Sequence, residues 1–285
     1  MSTTCEETEA GILSDASFYY LQRVVQQKCG LYLEPRKKDL VLMRIKKRLS
    51  ITHADELRAW CDLVTRPGND IGLQDLIDEV TTQHTKFFRE NAQLDHFQQW
   101  ILPAIQQRGR ASAEKKIRVW SAGCSSGEEP YTLAMILLES LGEEWDIRIL
   151  ASDICHKALD KAASGLYLEE QTAHIPPNLL DKYFEPVAIG VARGFRARTL
   201  LRERIDFRKI NFMDARYPIN TAFEIIFCRN VIIYFDQASR EQLLARFASH
   251  LQPDNGYLFL GHSELVAEIP SLQKHKFNIF QKTAS

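Results

Sequence analysis

The sequence predicts an α/β protein in which a small N-terminal helical domain precedes a domain built on a mostly parallel, doubly wound sheet. Apolar residues recur every three or four positions up to about residue 88. From residue 117 onward, short β-rich segments alternate with helical ones, and strands separated by helix-length segments imply right-handed crossovers. The alternation breaks over 166–212, where we expect a small β insertion. The predicted domains are therefore 1–88 and 89–285.

Helical spacing of apolar residues defines the first domain. Three stretches show it: Phe18-Leu21-Val24-Val25, Leu40-Val41-Ile45-Leu49 and Leu73-Leu76-Ile77-Val80. Turns separate these stretches and contain Gly30, Pro35, Pro67-Gly68 and Gly72. A further helix over 91–107, with Leu94, Phe97, Ile101 and Ile105 on its buried side and Trp100 beside them, leads into the second domain.

The second domain is predicted from its alternating segments. Strands are expected at 117–122, 147–152, 224–228 and 256–261, with a closing strand near 277–282. Helices are expected at 130–141, 156–164 and 237–251. The β-rich segments 195–198 and 205–210 are assigned to the insertion rather than to another crossover.

Composition excludes several classes of protein. Lys plus Arg (36) nearly equals Asp plus Glu (37), so no global charge attracts nucleic acid or anionic lipid. The six cysteines contain no C-x-x-C pair, which argues against a zinc site and a disulfide scaffold and favours a reducing compartment. The polar N-terminus lacks the features of a secretory signal, and no segment has the apolar length of a membrane span. We expect a cytoplasmic protein that is not inserted in a membrane.

The turn after the first predicted strand is the most informative segment. Small residues in Gly123-Cys124-Ser125-Ser126-Gly127 allow a backbone to approach a nucleoside at the carboxyl end of a strand. The acidic pair Glu128-Glu129 disfavours a phosphate there. About thirty residues on, Asp153 ends the next strand, where it would accept both hydroxyls of a ribose or cap the helix at 156–164.

The same turn also fits a different chemistry. Gly123, Ser125 and Gly127 satisfy the G-x-S-x-G pattern of a serine hydrolase. Asp214 or Asp236, followed by His262, would complete the order of a triad. This alternative is disfavoured because the strand is the first of the sheet along the chain and no H-G-G-G-type oxyanion loop precedes it.

Five segments together resemble the CheR family of chemotaxis-receptor glutamate methyltransferases, which use S-adenosylmethionine (SAM). They read TTQHTKFFRE from Thr81, VWSAGCSSGEEPY from Val119, ASDI from Ala151, IFCRNVIIYF from Ile226 and GHSE from Gly261. The resemblance implies a bacterial enzyme with a Rossmann-like SAM methyltransferase domain carrying a small β subdomain. It implies methylation of receptor glutamates, with S-adenosylhomocysteine (SAH) as the other product.

The resemblance also implies roles for individual residues. Arg89 and Tyr234 would be catalytic, with Arg89 holding the acceptor carboxylate and Tyr234 pointing toward the methyl group. Cofactor-binding residues would be Gln83, Thr85, Arg89, Ala122, Gly123, Glu129, Asp153, Asn211, Phe212, Arg229 and Asn230. Gln83 stands where some members of the family have Asn. A catalytically silent member acting as an adaptor is the rival from a different class.

A basic segment in the first domain suggests a partner surface. The segment from Arg36 to Arg48 contains seven basic residues and a single acidic one, Asp39. Helical spacing places on one side the residues that we assign to receptor binding: Arg36, Lys37, Arg44, Lys47 and Arg48. An ordinary solvated face would look the same, and nucleic acid is disfavoured because interleaved aromatics are missing. The family resemblance favours the acidic cytoplasmic domain of a chemoreceptor, and in some relatives a receptor C-terminal peptide adds to the β insertion.

Overall fold

The computed structural model describes residues 15–51, 53–66, 69–81, 83–112, 114–266 and 268–283. The chain divides into two units. The first comprises Met1–Thr82 with the segments Asn211–Ala215 and Tyr234–Ser239, and the second comprises the rest. The two short segments join the first unit although they follow strands of the second in sequence. The predicted boundary near residue 88 stays a prediction.

The described part of the first unit contains four helices. They are α1 (Asp15–Cys29), α2 (Lys38–Leu49), α3 (Ala54–Val64) and α4 (Asp70–Val80), with a 3₁₀ turn at Pro35–Lys37. Helical spacing predicted three of them, and α3 was not among the predicted stretches. Their apolar faces supply buried side chains such as Phe18, Ile45, Leu57 and Leu76. The predicted turn at Pro67-Gly68 and the side chains of Arg48 and Leu49 lie outside the described part.

The short segments are tied to α1 and its following turn. Tyr32 N–H donates to the carbonyl of Tyr234 (2.7 Å), and Leu31 bridges to Phe235. The Asn211 amide donates to the carbonyl of Lys28 (2.8 Å). Residues near 211 and 234 are therefore ordered within the first unit by backbone pairing and a side-chain hydrogen bond.

The second unit opens with helices and continues into a doubly wound sheet. Helix α5 (Asn91–His96), a π-helical turn (Phe97–Ile101) and α6 (Leu102–Ala111) form one continuous run. The elements that follow are β1 (Lys116–Ala122), α7 (Glu128–Leu141), β2 (Asp146–Asp153), α8 (His156–Ser164), β3 (Leu166–Leu168), α9 (Glu169–Thr172), α10 (Pro177–Tyr183), β4 (Phe184–Ile189), β5 (Ala192–Ala197), α11 (Thr199–Arg202), β6 (Ile205–Lys209), β7 (Ile225–Cys228), a 3₁₀ turn (Ile232–Tyr234), α12 (Gln237–His250), β8 (Tyr257–Leu260), β9 (Leu272–Lys274), a 3₁₀ turn (Lys276–Asn278) and β10 (Ile279–Lys282).

The main sheet has the strand order β6-β2-β1-β7-β8-β10-β9. Strands from β6 to β8 are parallel, whereas β10 runs antiparallel to both β8 and β9. The chain winds from β1 to one side through β2 and later to the other side through β7. The order therefore reverses between β1 and β7, where open α/β sheets bind their ligands.

The predicted α/β class is confirmed, and two local expectations were wrong. Segment 205–210 was assigned to the insertion, but β6 pairs in parallel with β2 at the edge of the main sheet. The crossover from β2 to β6 contains α8, but the small sheet is inserted between α8 and β6, so the crossover pattern is not visible in the sequence. Trp100 was expected beside the buried face, but it is 68% exposed because the π-helical turn rotates it outward.

The β insertion is a separate three-stranded antiparallel sheet. Its order is β3-β5-β4, so β4 is an edge strand. Side chains of Tyr167 and Phe184 from this sheet join the core of the second unit. The insertion is thus attached through aromatic packing, with Phe87 in edge-to-face contact with both rings.

Candidate functional site

The glycine-containing loop after β1 is held at the carboxyl end of the sheet by backbone hydrogen bonds. The N–H groups of Gly123 and Cys124 donate to the carbonyl of Ser152 at the end of β2 (2.7 and 2.9 Å). Gly123 has φ +83°, and a Cβ there would overlap the side chain of Val231. The loop therefore requires glycine at this position, where the side chain of Val231 from the segment after β7 packs against it.

Asp153 braces the same loop from the end of β2. The residue is only 8% exposed, and its carboxylate accepts from the Ser125 N–H (2.8 Å) and the Cys155 N–H (2.9 Å). Cys155, rather than Asp153, is the N-cap of α8. Asp153 is thus not the cap of α8; its carboxylate holds the loop after β1 and the start of α8 relative to each other.

A buried arginine after β7 organises a polar network. Arg229 is 7% exposed, and its Nε donates to the Glu129 carboxylate (2.8 Å). One terminal nitrogen donates to the carbonyl of Arg89 (2.9 Å) and the amide oxygen of Gln93 (3.3 Å) and lies 3.8 Å from the Glu90 carboxylate. One guanidinium therefore faces two carboxylates, those of Glu129 and Glu90, and this network has an excess of negative charge.

Further contacts fix both carboxylates. Glu129 also accepts from the Ser121 hydroxyl on β1 (2.7 Å). Glu90 accepts from the Asn230 amide and from the His262 N–H, each at 3.3 Å. The network thereby links the ends of β1, β7 and β8 with the segment that precedes α5.

Strained backbone and unsatisfied acceptors mark this end of the sheet. Glu90, Ser125 and Asn230 have φ of +60°, +49° and +60°, which non-glycine residues adopt rarely and at some cost. Among the described buried polar atoms that lack a hydrogen bond are Oε2 of Glu90 and Oδ1 of Asn230. Two acceptors oriented by a rigid network but without donors indicate a ligand that supplies donors or positive charge.

The serine-hydrolase alternative gains no support from this geometry. The Ser125 hydroxyl donates to the amide oxygen of Gln83 (2.5 Å), a group that does not act as a general base. Burial raises the pKa of the neighbouring Cys124 thiol well above its usual range, so it stays protonated. The loop thus holds neither an activated hydroxyl nor a thiolate nucleophile.

Comparisons with known proteins assign the family. A family model described as "CheR methyltransferase, SAM binding domain" matches residues 83–283. The chain belongs to the CheR methyltransferase family. It is 36% identical over 249 residues to a chemotaxis protein methyltransferase from Borreliella burgdorferi, covering 86% of this chain and 87% of that protein. It is also 36% identical over 267 residues to one from Escherichia coli, covering 92% of this chain and 89% of that protein.

The predicted family, the SAM cofactor and SAM-dependent methyl transfer in chemotaxis are thereby confirmed for this CheR-family protein. Among the described residues, the structure has no helix long and apolar enough to cross a membrane.

The residues of the second unit fit SAM chemically. The loop at Gly123 and the carboxylate of Asp153 provide the close backbone approach and the hydroxyl acceptor that an adenosine moiety requires. The excess negative charge of Glu129 and Glu90 over Arg229, with the two acceptor oxygens described above, suits a ligand that carries an ammonium and a sulfonium.

The predicted site residues divide between the two units of this CheR-family protein. In the second unit, hydrogen bonds join Arg229 to Glu129 and to the carbonyl of Arg89, and Ser125 links Gln83 to Asp153. The other predicted residues of this unit are Thr85, Ala122, Gly123 and Asn230. Asn211, Phe212 and Tyr234 belong to the first unit. Lys37 Nζ lies 5.6 Å from the centre of the Tyr234 ring. The roles of these residues stay predictions.

The network contains polar residues that sequence reasoning missed, namely Glu90, Gln93 and Glu264. Gln93 is fully buried beside Leu94 and donates to the carbonyls of Leu260 (2.9 Å) and Phe277 (2.7 Å). A glutamine next to the apolar positions of a helix was the one available signal, because such a residue requires buried partners.

The predicted basic face is only partly free in the structure. Arg36 and Lys37 both pair with Glu34. Arg44 is half-buried and donates to the carbonyls of Glu79 and Thr81, each at 3.4 Å. Lys47 is exposed. The net positive charge of this face is therefore smaller than the sequence suggests.

Proposed function

We propose that this protein transfers the methyl group of SAM to glutamate side chains of bacterial chemoreceptors, giving glutamyl methyl esters and SAH. The observation that supports the proposal most strongly is the rigid, negatively charged network around Arg229 beside the Gly123 loop. When bound, SAM supplies an electrophilic methyl group on a positively charged sulfur. The residues of this chain have to hold that cofactor, exclude water and orient the acceptor.

A carboxylate acceptor explains why the site requires no general base. A glutamate side chain with a pKa of about 4.3 is already ionised at neutral pH, so no proton has to be removed. The positive charge of the sulfonium donor and the negative charge of the carboxylate acceptor are both lost in the transfer. A site that excludes water from both groups therefore lowers the barrier by proximity and desolvation. Positioning groups are then sufficient for catalysis.

We assign to Arg89 the role of holding the acceptor carboxylate. This arginine is half-buried, donates to the carbonyl of His84 (3.1 Å), and its own carbonyl accepts from Arg229. The backbone of Arg89 is thus fixed by the network, while its planar guanidinium carries five donors suited to a carboxylate. Tyr234 is assigned the role that the resemblance implies, a side chain that points toward the methyl group.

Transfer of label tests the proposed reaction directly. The protein is incubated with SAM carrying a labelled methyl group and with membranes rich in chemoreceptors. We expect label in the receptor band that mild base releases as methanol, because esters hydrolyse and N-methyl groups do not. Receptors with glutamine in place of the acceptor glutamates are the control and should stay unlabelled. Base-stable label, or none, would contradict the proposed acceptor, and a silent adaptor would give none.

We further propose that the basic face of α2 and its preceding turn contacts the acidic cytoplasmic domain of the receptor, which places the protein in the cytoplasm. Attraction of this kind weakens as salt screens it over a Debye length of about 8 to 10 Å. The charge reversals Arg36→Glu and Lys47→Glu together should slow methylation at low salt and leave SAH affinity unchanged. The same reversals at the exposed Lys115 and Lys116 of the second unit are the control. Equal methylation rates for the Arg36/Lys47 variant and the Lys115/Lys116 variant would contradict a receptor contact at this face.

A receptor C-terminal peptide is the second proposed contact. Strand β4 is an edge strand of the small sheet, and an extended peptide can add to such an edge through main-chain hydrogen bonds. The turn that follows β4 contains Gly190 at φ +60°, with open space around it. In a pull-down, immobilised receptor tail peptides should retain the protein. Peptides that lack the C-terminal tail residues should not retain it. Retention by the shortened peptides would contradict the assignment.

A further inference from the structure

Glu264 is a buried carboxylate to which neither the sequence nor the comparisons assign a role. The residue is 2% exposed and closes the turn that follows β8. Its carboxylate accepts from the backbone N–H groups of Val231 (2.7 Å), Ile232 (2.9 Å) and Gly261 (2.5 Å). Two of these donors belong to the segment after β7, so one side chain joins the carboxyl ends of β7 and β8.

The turn that carries Glu264 is itself held in place. The backbone N–H of Glu264 donates to the carbonyl of Gly261 (3.0 Å). The Asn278 side-chain amide donates to the carbonyls of both Gly261 and Glu264 (2.9 Å each). A Cβ on Gly261 would lie 2.8 Å from the backbone nitrogen of Asn230. The two turns are therefore in direct contact, and the backbone of Glu264 is held in place.

The segment that Glu264 holds carries functional groups on both sides of the bonded amides. Arg229 and Asn230, the centre of the cofactor network, directly precede Val231, and Asn230 has the unfavourable φ of +60°. The side chain of Val231 packs against Gly123 in the loop after β1. A shift of the Val231 amide would therefore move the network and the glycine loop together.

Charge supports this arrangement. Burial raises the pKa of Glu264, whereas the backbone N–H groups that it accepts act in the opposite direction. A buried carboxylate is costly unless its acceptors are well satisfied, and three backbone donors provide that compensation. An apolar residue at this position would leave the N–H groups of Val231, Ile232 and Gly261 without this acceptor.

We propose that Glu264 is a positioning residue for the cofactor, which holds Arg229 and Asn230 in their binding geometry through the amides of Val231 and Ile232. This inference rests on the proposed cofactor site at the carboxyl end of the sheet. Glu264 itself does not contact the reacting atoms in this proposal; it acts through the segment after β7.

The substitution Glu264→Gln tests the inference, because the amide nitrogen would face one of the three backbone donors. The matched control is Glu224→Gln at the opposite end of β7, where the carboxylate also accepts from a backbone N–H, that of Arg118 (2.7 Å). Calorimetric titration with SAH reports affinity and the fraction of active protein separately. We expect Glu264→Gln to weaken SAH binding about tenfold, the effect of one lost hydrogen bond, and Glu224→Gln to leave it unchanged.

A merely structural role would give a different result. The stoichiometry would then fall while the dissociation constant of the folded fraction kept its wild-type value, and this outcome would overturn the inference. Should Glu264→Gln fail to fold, Gly261→Ala displaces the same turn without removing the carboxylate and should also weaken SAH binding; wild-type affinity in that variant would overturn the inference. A wild-type protein that bound no SAH would instead contradict the cofactor site itself.

Discussion

The two ends of the central strands in the second unit differ in how their charged residues are arranged. At the carboxyl end, Arg229 is 3% exposed in its side chain and faces Glu129 and Glu90, which are 12% and 13% exposed. At the amino end, Arg118 pairs with Asp146, and these side chains are 26% and 49% exposed. The first arrangement is buried and interlocked, whereas the second is a partly solvated ion pair.

The difference separates a binding site from ordinary surface structure. Solvated pairs add little to stability, whereas buried ones lose hydration that has to be recovered by good geometry. Positive φ occurs at both ends, at Glu90, Ser125 and Asn230 at the carboxyl end and at Asn255 before β8 at the amino end, each at a cost of about 1 to 3 kcal/mol. The buried network of Arg229, rather than the solvated pair of Arg118, is therefore the part of the sheet that we expect a ligand to use.

The largest effect is expected for Arg229→Ala. The change leaves Glu129 and Glu90 buried without their shared cation, so we expect a loss of about 3 to 5 kcal/mol in the free energy of unfolding. Urea unfolding measures it, with Arg118→Ala as the control at the amino end, where about 1 kcal/mol or less is expected. Equal losses at the two ends would contradict the comparison.

Arg89→Ala should act on catalysis more than on binding. If Arg89 holds the acceptor, kcat for receptor methylation should fall about a hundredfold, as when an electrostatic donor is removed from an active site. The affinity for SAH should change little. Arg89→Lys keeps the charge without the planar fork and should recover only part of the rate. A parallel loss of rate and SAH affinity would instead place Arg89 in the cofactor site.

Asp153→Ala should weaken SAH binding while the protein still folds. Loss of an acceptor for ligand hydroxyls costs about 1 to 3 kcal/mol, or about 5- to 150-fold in the dissociation constant. Some of this effect would come through the Ser125 N–H, which Asp153 also accepts. Asp153→Asn keeps one acceptor oxygen and should lie between wild type and alanine in titration calorimetry. Unchanged affinity in the alanine variant would remove Asp153 from the ribose site.

The smallest effect belongs to the amino end and depends on pH. The hydrogen bond from Arg118 is the main cause that lowers the pKa of Asp146. A lowered pKa means that the stabilisation is present above the unfolded value of about 3.9 and is lost as pH falls through the folded value. Asp146→Asn should therefore lose less stability than wild type between pH 6 and pH 3 in urea unfolding. Arg118→Gln should have a similar effect, and an unaltered pH dependence in both variants would contradict the pairing.

The parts of the fold with a regular pattern were predictable from the sequence. β7 and β8 are continuous apolar runs because both faces of a parallel sheet are covered, whereas β1 and β2 begin with charged residues and become fully buried toward their carboxyl ends. β6 was assigned to the insertion because it is a short, half-exposed edge strand that the inserted small sheet separates from its crossover helix α8. The outward position of Trp100 depends on a π-helical turn that has no sequence signature.

The site was predictable only where residues lie in the loops that follow strands. Gly123, Asp153 and Arg229 stand at strand ends, which sequence spacing locates. The network that holds them joins residues far apart in the chain, such as Arg229 with Gln93, 136 positions away. Glu264 reaches Val231 over 33 positions through backbone amides, a contact for which no side-chain pattern exists.

A crystal structure of the protein with SAH tests the central claim most directly, namely that the carboxyl ends of β1, β2 and β7 form the cofactor site. We predict density for SAH beside the Gly123 loop, in contact with Asp153 and with the network of Arg229. Density at any other surface, with this end of the sheet left empty, would contradict the claim.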